Sequence, residues 1–262
     1  MSVRVIRDIV YKEVAGQKLH LDLHLPEGTP VLGVVVYFHG GGFVEGDRAD
    51  AEAERADVLA EAGFAVATVQ YRFLDVAKVP AQTDDARDAV AWLRAHSAEY
   101  GFEGAKIGAW GSSAGAYMAS ALALGVPSEG IAPDVDATVA FFTMFDFRVL
   151  QPRGWLEEII FADSPEASAT FGIPFDPSNP DHVRANLIQQ VSADASPFLL
   201  MTGDRDLVIA PSQSERMHEQ LVFNGAESTL MTIGNTGHEE AVFHSPMVIG
   251  AIVGFFTTHL AK

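Results

Sequence analysis

The sequence predicts an α/β fold: a mostly parallel eight-stranded sheet with an antiparallel amino-terminal hairpin and helices on both faces. Three observations carry this. Continuous apolar runs recur along the chain, as in Val34-Val35-Val36-Tyr37-Phe38, the mark of strands buried on both faces. Stretches with helical apolar spacing separate them, as in Asp84 to His96, where Ala86, Ala89, Val90 and Leu93 form one stripe. The amino-terminal stretch differs, alternating with period two in Leu19-His20-Leu21-Asp22-Leu23-His24-Leu25.

The elements follow in order. Ile9-Val10-Tyr11 and the leucine run form a hairpin turned at Gly16-Gln17 and closed by Pro26-Glu27-Gly28. His20 and His24 fall on its polar face with Asp22; that face reads as solvated, with a metal site as the alternative. After strand Val34 to Phe38 comes a helix from Ala51 to Ala62, ended by Gly63. Phe64 to Val69 is a strand, Asp84 to His96 a helix and Lys106 to Trp110 a strand. Ala114 to Leu124 is a small-residue helix stopped by Gly125 and Pro127. Ala137 to Phe142, Pro197 to Met201 and Thr229 to Ile233 are strands, and Ser212 to Asn224 and Val248 to His259 are helices.

Residues 146–196 break this rhythm. Pro152, Pro165, Pro174, Pro177 and Pro180 punctuate them, with short helical pieces at Trp155 to Phe161 and Asp181 to Gln190. An irregular stretch this long reads as a lid inserted into a single domain covering 1–262.

Composition removes whole classes of function. Thirty-five Asp and Glu against seventeen Lys and Arg give a net charge of −18, which repels phosphate backbones and argues against nucleic-acid binding. There is no cysteine, so disulfides, thiolate metal sites and Cys nucleophiles are excluded. The amino terminus lacks the apolar run of a secretory signal, and no apolar stretch has the length of a membrane helix. A soluble cytoplasmic protein that does not bind membranes is expected.

Chemistry enters with Gly111-Ser112-Ser113-Ala114-Gly115, which fits G-x-S-x-G between a strand and a helix. A nucleophile on such a sharp turn needs small neighbours two positions either side, and this favours Ser113 over Ser112. His39-Gly40-Gly41-Gly42-Phe43 follows the first buried strand, where glycines let N–H groups turn toward one point, as a developing oxyanion requires. His39 itself reads as a structural hydrogen-bonder. Of nine histidines, His238 follows the last strand through a short loop and so shares the sheet edge with Ser113; His244 is the rival base. His96, His182, His218 and His259 read as helix-end or surface positions. Gly203-Asp204-Arg205-Asp206 comes after the preceding strand, and Asp206 is the better orienting acid because Asp204 serves the turn. The order Ser, Asp, His belongs to one fold.

These motifs resemble those of the HGGG-type carboxylesterases of the α/β-hydrolase fold, the hormone-sensitive-lipase-like group, and within it the acetyl-xylan and feruloyl esterase-like branch. Val69-Gln70-Tyr71-Arg72, Val79-Pro80-Ala81-Gln82-Thr83-Asp84-Asp85, the helix from Asp88 to Tyr100 and the stretch Asp206 to Ser214 extend the likeness over nearly the whole chain. The resemblance implies Ser113 as nucleophile, His238 as general base and acid, and Asp206 as orienting carboxylate. It also implies backbone N–H groups of Gly41, Gly42 and Ala114 as oxyanion donors. Phe43, Tyr117, Phe145 and Trp155, with Phe147, Phe161 and Phe171, are candidates to line an acyl or aryl pocket.

The expected activity is hydrolysis of short acyl or aryl esters, small-molecule substrates, through an acyl-enzyme with no metal or cofactor. Whether the protein is a homodimer stays open. An arylformamidase is the second reading, and a non-catalytic hydrolase-fold binding protein the third. The chain departs from the family at Ala116, often a second glycine, at Leu207, usually proline, and at Glu239-Glu240, where small or aromatic residues are usual.

Overall fold

The structure, a computed structural model, describes residues 2–50, 52–126, 134–148 and 176–261. The segment Trp155 to Phe161, with Phe171 and most of the expected lid, lies outside the described residues.

Strands β1 (Val3–Val14) and β2 (Gln17–Pro26) form the expected hairpin. Its turn sits one residue earlier than expected, at Ala15-Gly16, whose φ values of 50° and 79° give the doubly left-handed turn that matches strand twist. Then β3 (Val34–Phe38), β4 (Ala65–Val69), β5 (Ile107–Ser112), β6 (Ala137–Phe141), β7 (Phe198–Gly203) and β8 (Ser228–Ile233) complete one sheet. Its order is β1-β2-β4-β3-β5-β6-β7-β8, and all pairs from β4 onward along that order are parallel.

Side chains of successive strand residues alternate between two cores. Val34, Val36 and Phe38 join one with α2 (Ala81–Ala95) and α4 (Ala114–Leu124), after the one-turn α3 (Ser97–Tyr100). Val35 and Tyr37 join the other with α1 (Val58–Glu61) and the last helix, α7 (Pro246–Leu260). Two further helices, α5 (Pro180–Ala185) and α6 (Ser212–Phe223), precede it. Helix α7 buries Val248, Ile252, Phe256 and Leu260, each stabilising by about 1.5–3 kcal/mol. A π-helical turn, Glu52–Asp57, replaces the first half of the helix expected from 51 to 62.

Three polar residues correct the reading of a solvated hairpin face and helix surface. His24 is fully buried, its Nδ1 2.8 Å from Asp57 Oδ1, because the Glu52–Asp57 turn covers that face of β2. Asp22 is buried beside Arg7 and Arg48 and accepts the Asp8 backbone N–H. His182 is buried as well, its Nδ1 accepting from the Asp176 N–H. Period-two alternation sorts faces but does not say whether a later element covers the polar one.

The Asp84-Asp85 stretch has a structural reason. The fully buried Asp85 carboxylate takes Lys12 Nζ at 2.6 Å and Arg72 Nη2 at 2.7 Å, tying α2 to β1 and to the loop after β4. Asp85→Ala would leave Arg72 without its carboxylate, while Lys12 keeps Asp88 at 2.6 Å, and a loss of about 3 kcal/mol in urea unfolding is expected. A loss below about 1 kcal/mol would refute this tie.

Candidate active site

Four loops at the carboxyl edge of the sheet meet at Ser113. The first is the turn between β5 and α4. Ser113 sits at φ 49°, ψ −119°, a conformation that L-residues rarely adopt. Its glycines are there for backbone contact. A Cβ on Gly111 would lie 2.3 Å from the Gly115 carbonyl, and one on Gly115 would lie 2.0 Å from the Phe38 oxygen. The elbow is therefore pressed against the end of β3, which leads directly into the glycine loop.

That loop is the second. Gly41, Gly42 and Phe43 all have positive φ, and a Cβ on Gly41 would collide with the Glu45 carbonyl at 2.1 Å. The Gly41 oxygen accepts from the N–H groups of Val44 and Glu45, which locks the turn. Nothing among the described residues accepts from the N–H groups of Gly41, Gly42 or Ala114. His39 is the structural hydrogen-bonder expected: its Nδ1–H donates to the Gly40 oxygen at 2.7 Å, and its ring stacks on Tyr71.

Burial pushes the His39 pKa below its ordinary value of 6.5. The unfolded chain then binds the proton more readily than the folded one, so stability is complete above 6.5 and declines as pH falls below it. Urea midpoints between pH 8 and 5 should show this loss, and His39→Gln should flatten the histidine-dependent part of the curve. An unchanged slope in that variant would count against the assignment.

The third and fourth loops carry the acid and the base. Asp206 follows β7 and is buried; its Oδ1 accepts from the N–H groups of Val208 and Ile209, each at 2.8 Å. Its Oδ2 lies 2.7 Å from His238 Nδ1, and His238 Nε2 lies 3.2 Å from Ser113 Oγ. With Asp206 accepting at Nδ1–H, the imidazole presents Nε2 as a free acceptor to the hydroxyl. The Phe142 ring meets the imidazole edge-to-face at 4.6 Å between centroids. Asp204 serves its turn, accepting the Thr236 N–H at 3.1 Å, which stitches the acid loop to the base loop.

The geometry thus joins Ser113, Asp206 and His238, and excludes His244, whose Nε2 accepts from Arg55 instead. Phe43 and Tyr117 meet edge-to-face at 5.8 Å, and Tyr117 meets Phe147 at 5.9 Å. A cleft lined by Pro80, Thr83, Tyr117, Val126, Asp181, Arg184 and Ala185 opens beside Tyr117, toward the carboxyl end of α4. Phe145 is fully buried in the core, and Trp155 lies outside the described residues. Sequence reasoning missed Arg55, Tyr37 and Phe142, none of which belongs to a recognisable motif. Among the described residues one trio could ligate a metal: His24, Glu52 and Asp57. Arg7 already holds the Glu52 carboxylate at 2.6 Å, so a cation there would have to displace it.

The chain is similar to the "Probable carboxylic ester hydrolase LipM" of Mycobacterium tuberculosis, 26% identical over 230 residues that span 82% of this chain and 51% of that protein. It is also similar to the esterase LipC of the same organism, 28% identical over 224 residues, 82% of this chain and 54% of that one. The chain spans about half the length of both relatives. Among solved structures, a truncated carbohydrate esterase from gut microbiota superposes with a TM-score of 0.83 at 22% identity, covering 97% of this chain and 95% of that one. It shares the fold. No helix among the described residues is long and apolar enough to cross a membrane. The BD-FAE family model matches residues 21–221, most of the chain, and the protein belongs to that family of α/β-hydrolase-fold proteins.

Proposed function

We propose that this protein is a serine hydrolase of carboxylic esters, acting on short acyl or aryl esters through an acyl-enzyme. The observation that carries the reading is the unbroken series Asp206–His238–Ser113, at 2.7 Å and 3.2 Å, with the N–H groups of Gly41, Gly42 and Ala114 left without an acceptor among the described residues. The ester-hydrolase names of LipM and LipC support it.

Ser113 Oγ attacks the ester carbonyl carbon while its proton passes to His238 Nε2. The Asp206 carboxylate holds Nδ1–H and stabilises the imidazolium that forms. The tetrahedral oxyanion is received by the N–H groups of Gly41, Gly42 and Ala114, where each such donor typically contributes a few kcal/mol (~3) to the transition state. The carbon–oxygen bond to the alcohol then breaks, and His238 returns its proton to the departing oxygen. Water repeats the cycle on the acyl-enzyme and frees Ser113. Phe43 in the glycine loop and Tyr117, one turn beyond Ser113, would border the acyl or aryl group.

The test is turnover of p-nitrophenyl esters graded from acetate to octanoate, with stoichiometric fluorophosphonate labelling of Ser113. Activity falling with chain length is expected. An enzyme that labels but prefers N-formylkynurenine to every ester by orders of magnitude would be an arylformamidase. Absence of both labelling and turnover would make the protein a binding module.

A further inference from the structure

The most heavily engaged side chain near the site belongs to none of the motifs. Arg55, in the π-helical turn before α1, has a side chain only 3% exposed. Its Nη2 donates to Glu239 Oε1 at 2.7 Å, and its Nη1 donates to Ser112 Oγ at 3.0 Å and to the Tyr37 hydroxyl. Its Nε donates to His244 Nε2 at 3.1 Å. The Tyr37, Trp110 and Phe141 rings lie within 5.9 Å of the guanidinium carbon, which adds cation–π attraction in a desolvated setting.

Two of these partners have a particular place in the chain. Ser112 immediately precedes the nucleophile, and Glu239 immediately follows the base. Both Ser113 and Glu239 hold left-handed backbone angles, φ 49° and 53°, which surrounding contacts must maintain. The same two side chains also border the glycine loop. A Cβ on Gly40 would fall 3.0 Å from Glu239 Oε2 and 3.3 Å from Ser112 Oγ. One planar cation therefore holds the side chains that flank nucleophile, base and oxyanion loop.

We propose that Arg55 is a positioning residue for hydrolysis: through Ser112 and Glu239 its guanidinium fixes the separation of Ser113 and His238. The inference rests on the esterase reading above. It also explains why a carboxylate follows the base here: partly exposed Glu239 is the counter-charge of a buried cation, its Oε1 accepting from Arg55 Nη2 at 2.7 Å. Arginine suits the task because its fork serves several acceptors in fixed directions, which a lysine ammonium does not.

The experiment compares R55M, R55K, E239A and E239Q with the unaltered protein. The readouts are kcat and KM on p-nitrophenyl acetate, the rate of fluorophosphonate labelling at Ser113, and thermal unfolding, with kinetics taken well below each melting temperature. R55M and E239A should each lower kcat and the labelling rate about a hundredfold, the scale of a 1 Å misplacement, with KM within threefold. E239Q, which keeps the accepting oxygen, should recover to within tenfold, and R55K should recover less. The R55M/E239A double variant should be no worse than either single variant, because both break one unit.

A purely structural Arg55 would lower the melting temperature and leave kcat intact below it. Folded R55M or E239A with kcat and labelling within threefold of the unaltered protein would overturn the proposal, as would multiplicative losses in the double variant. Should R55M not fold, E239A decides alone, since that side chain is 39% exposed. If the unaltered protein labels but cleaves no ester, the esterase reading fails while the ratio of labelling rates still tests Arg55.

Discussion

Ser113→Ala should abolish ester turnover, and Asp206→Asn should lower kcat by about 10⁴-fold with the fold intact. The asparagine result follows from the contacts of the carboxylate. Oδ1 accepts two backbone N–H groups, from Val208 and Ile209, so an asparagine must put its oxygen there. Its NH₂ then occupies the place of Oδ2 and faces His238 Nδ1, 2.7 Å away in the parent structure. Nδ1 must become the acceptor, which moves the ring proton to Nε2 and removes the base from Ser113. Steady-state kinetics at pH 7–8, with circular dichroism as the folding control, tests this. An asparagine variant within tenfold of the unaltered enzyme would mean that His238 does not depend on Asp206 for its tautomer.

The second large effect is steric. Gly115→Ala puts a methyl carbon 2.0 Å from the Phe38 oxygen and 2.5 Å from both the Phe38 carbonyl carbon and the His39 oxygen. Neither side can yield cheaply, because Phe38 is paired with Gly111 in the parallel ladder of β3 and β5. The clash must lift the elbow off the glycine loop, separating Ser113 from Gly41 and Gly42. Little soluble protein is expected, or a folded form destabilised by at least about 3 kcal/mol with kcat down by more than about a hundredfold. Gly254→Ala is the matched control: nothing lies within 4 Å of its added methyl, on an exposed turn of α7. It should stabilise by about 0.5–1 kcal/mol through helix propensity. If the Gly115 variant melted with the parent and kept its turnover, the contact between β3 and the elbow would not matter as argued.

Much of this was legible in the residues alone. Runs such as Val34 to Phe38 and Ala137 to Phe142 gave the buried strands within a residue or so of β3 and β6. The helix from Ala114 to Leu124 appears with those bounds, because Gly125 supplies the left-handed stop at φ 69°. Choosing Asp206 over Asp204 rested on Asp204 serving the turn, and His238 over His244 on strand order and loop length. These features arise from interactions between residues close in the chain: periodicity, turn sterics and the placement of short loops at one sheet edge.

Other features were invisible. Asp22, His24 and His182 looked polar and surface-exposed, yet each is buried, His24 against Asp57 of the Glu52–Asp57 turn. Arg55 sits in an acidic stretch that gives no sign of function, and its partner Glu239 is 184 positions away. Residue identity by itself set the fold class, the nucleophile elbow and the members of the hydrogen-bonded series. Only the folded chain decided which polar groups lose water and which distant charge each one meets. Desolvation and ion pairing depend on what packs alongside in three dimensions, and no short-range pattern carries that.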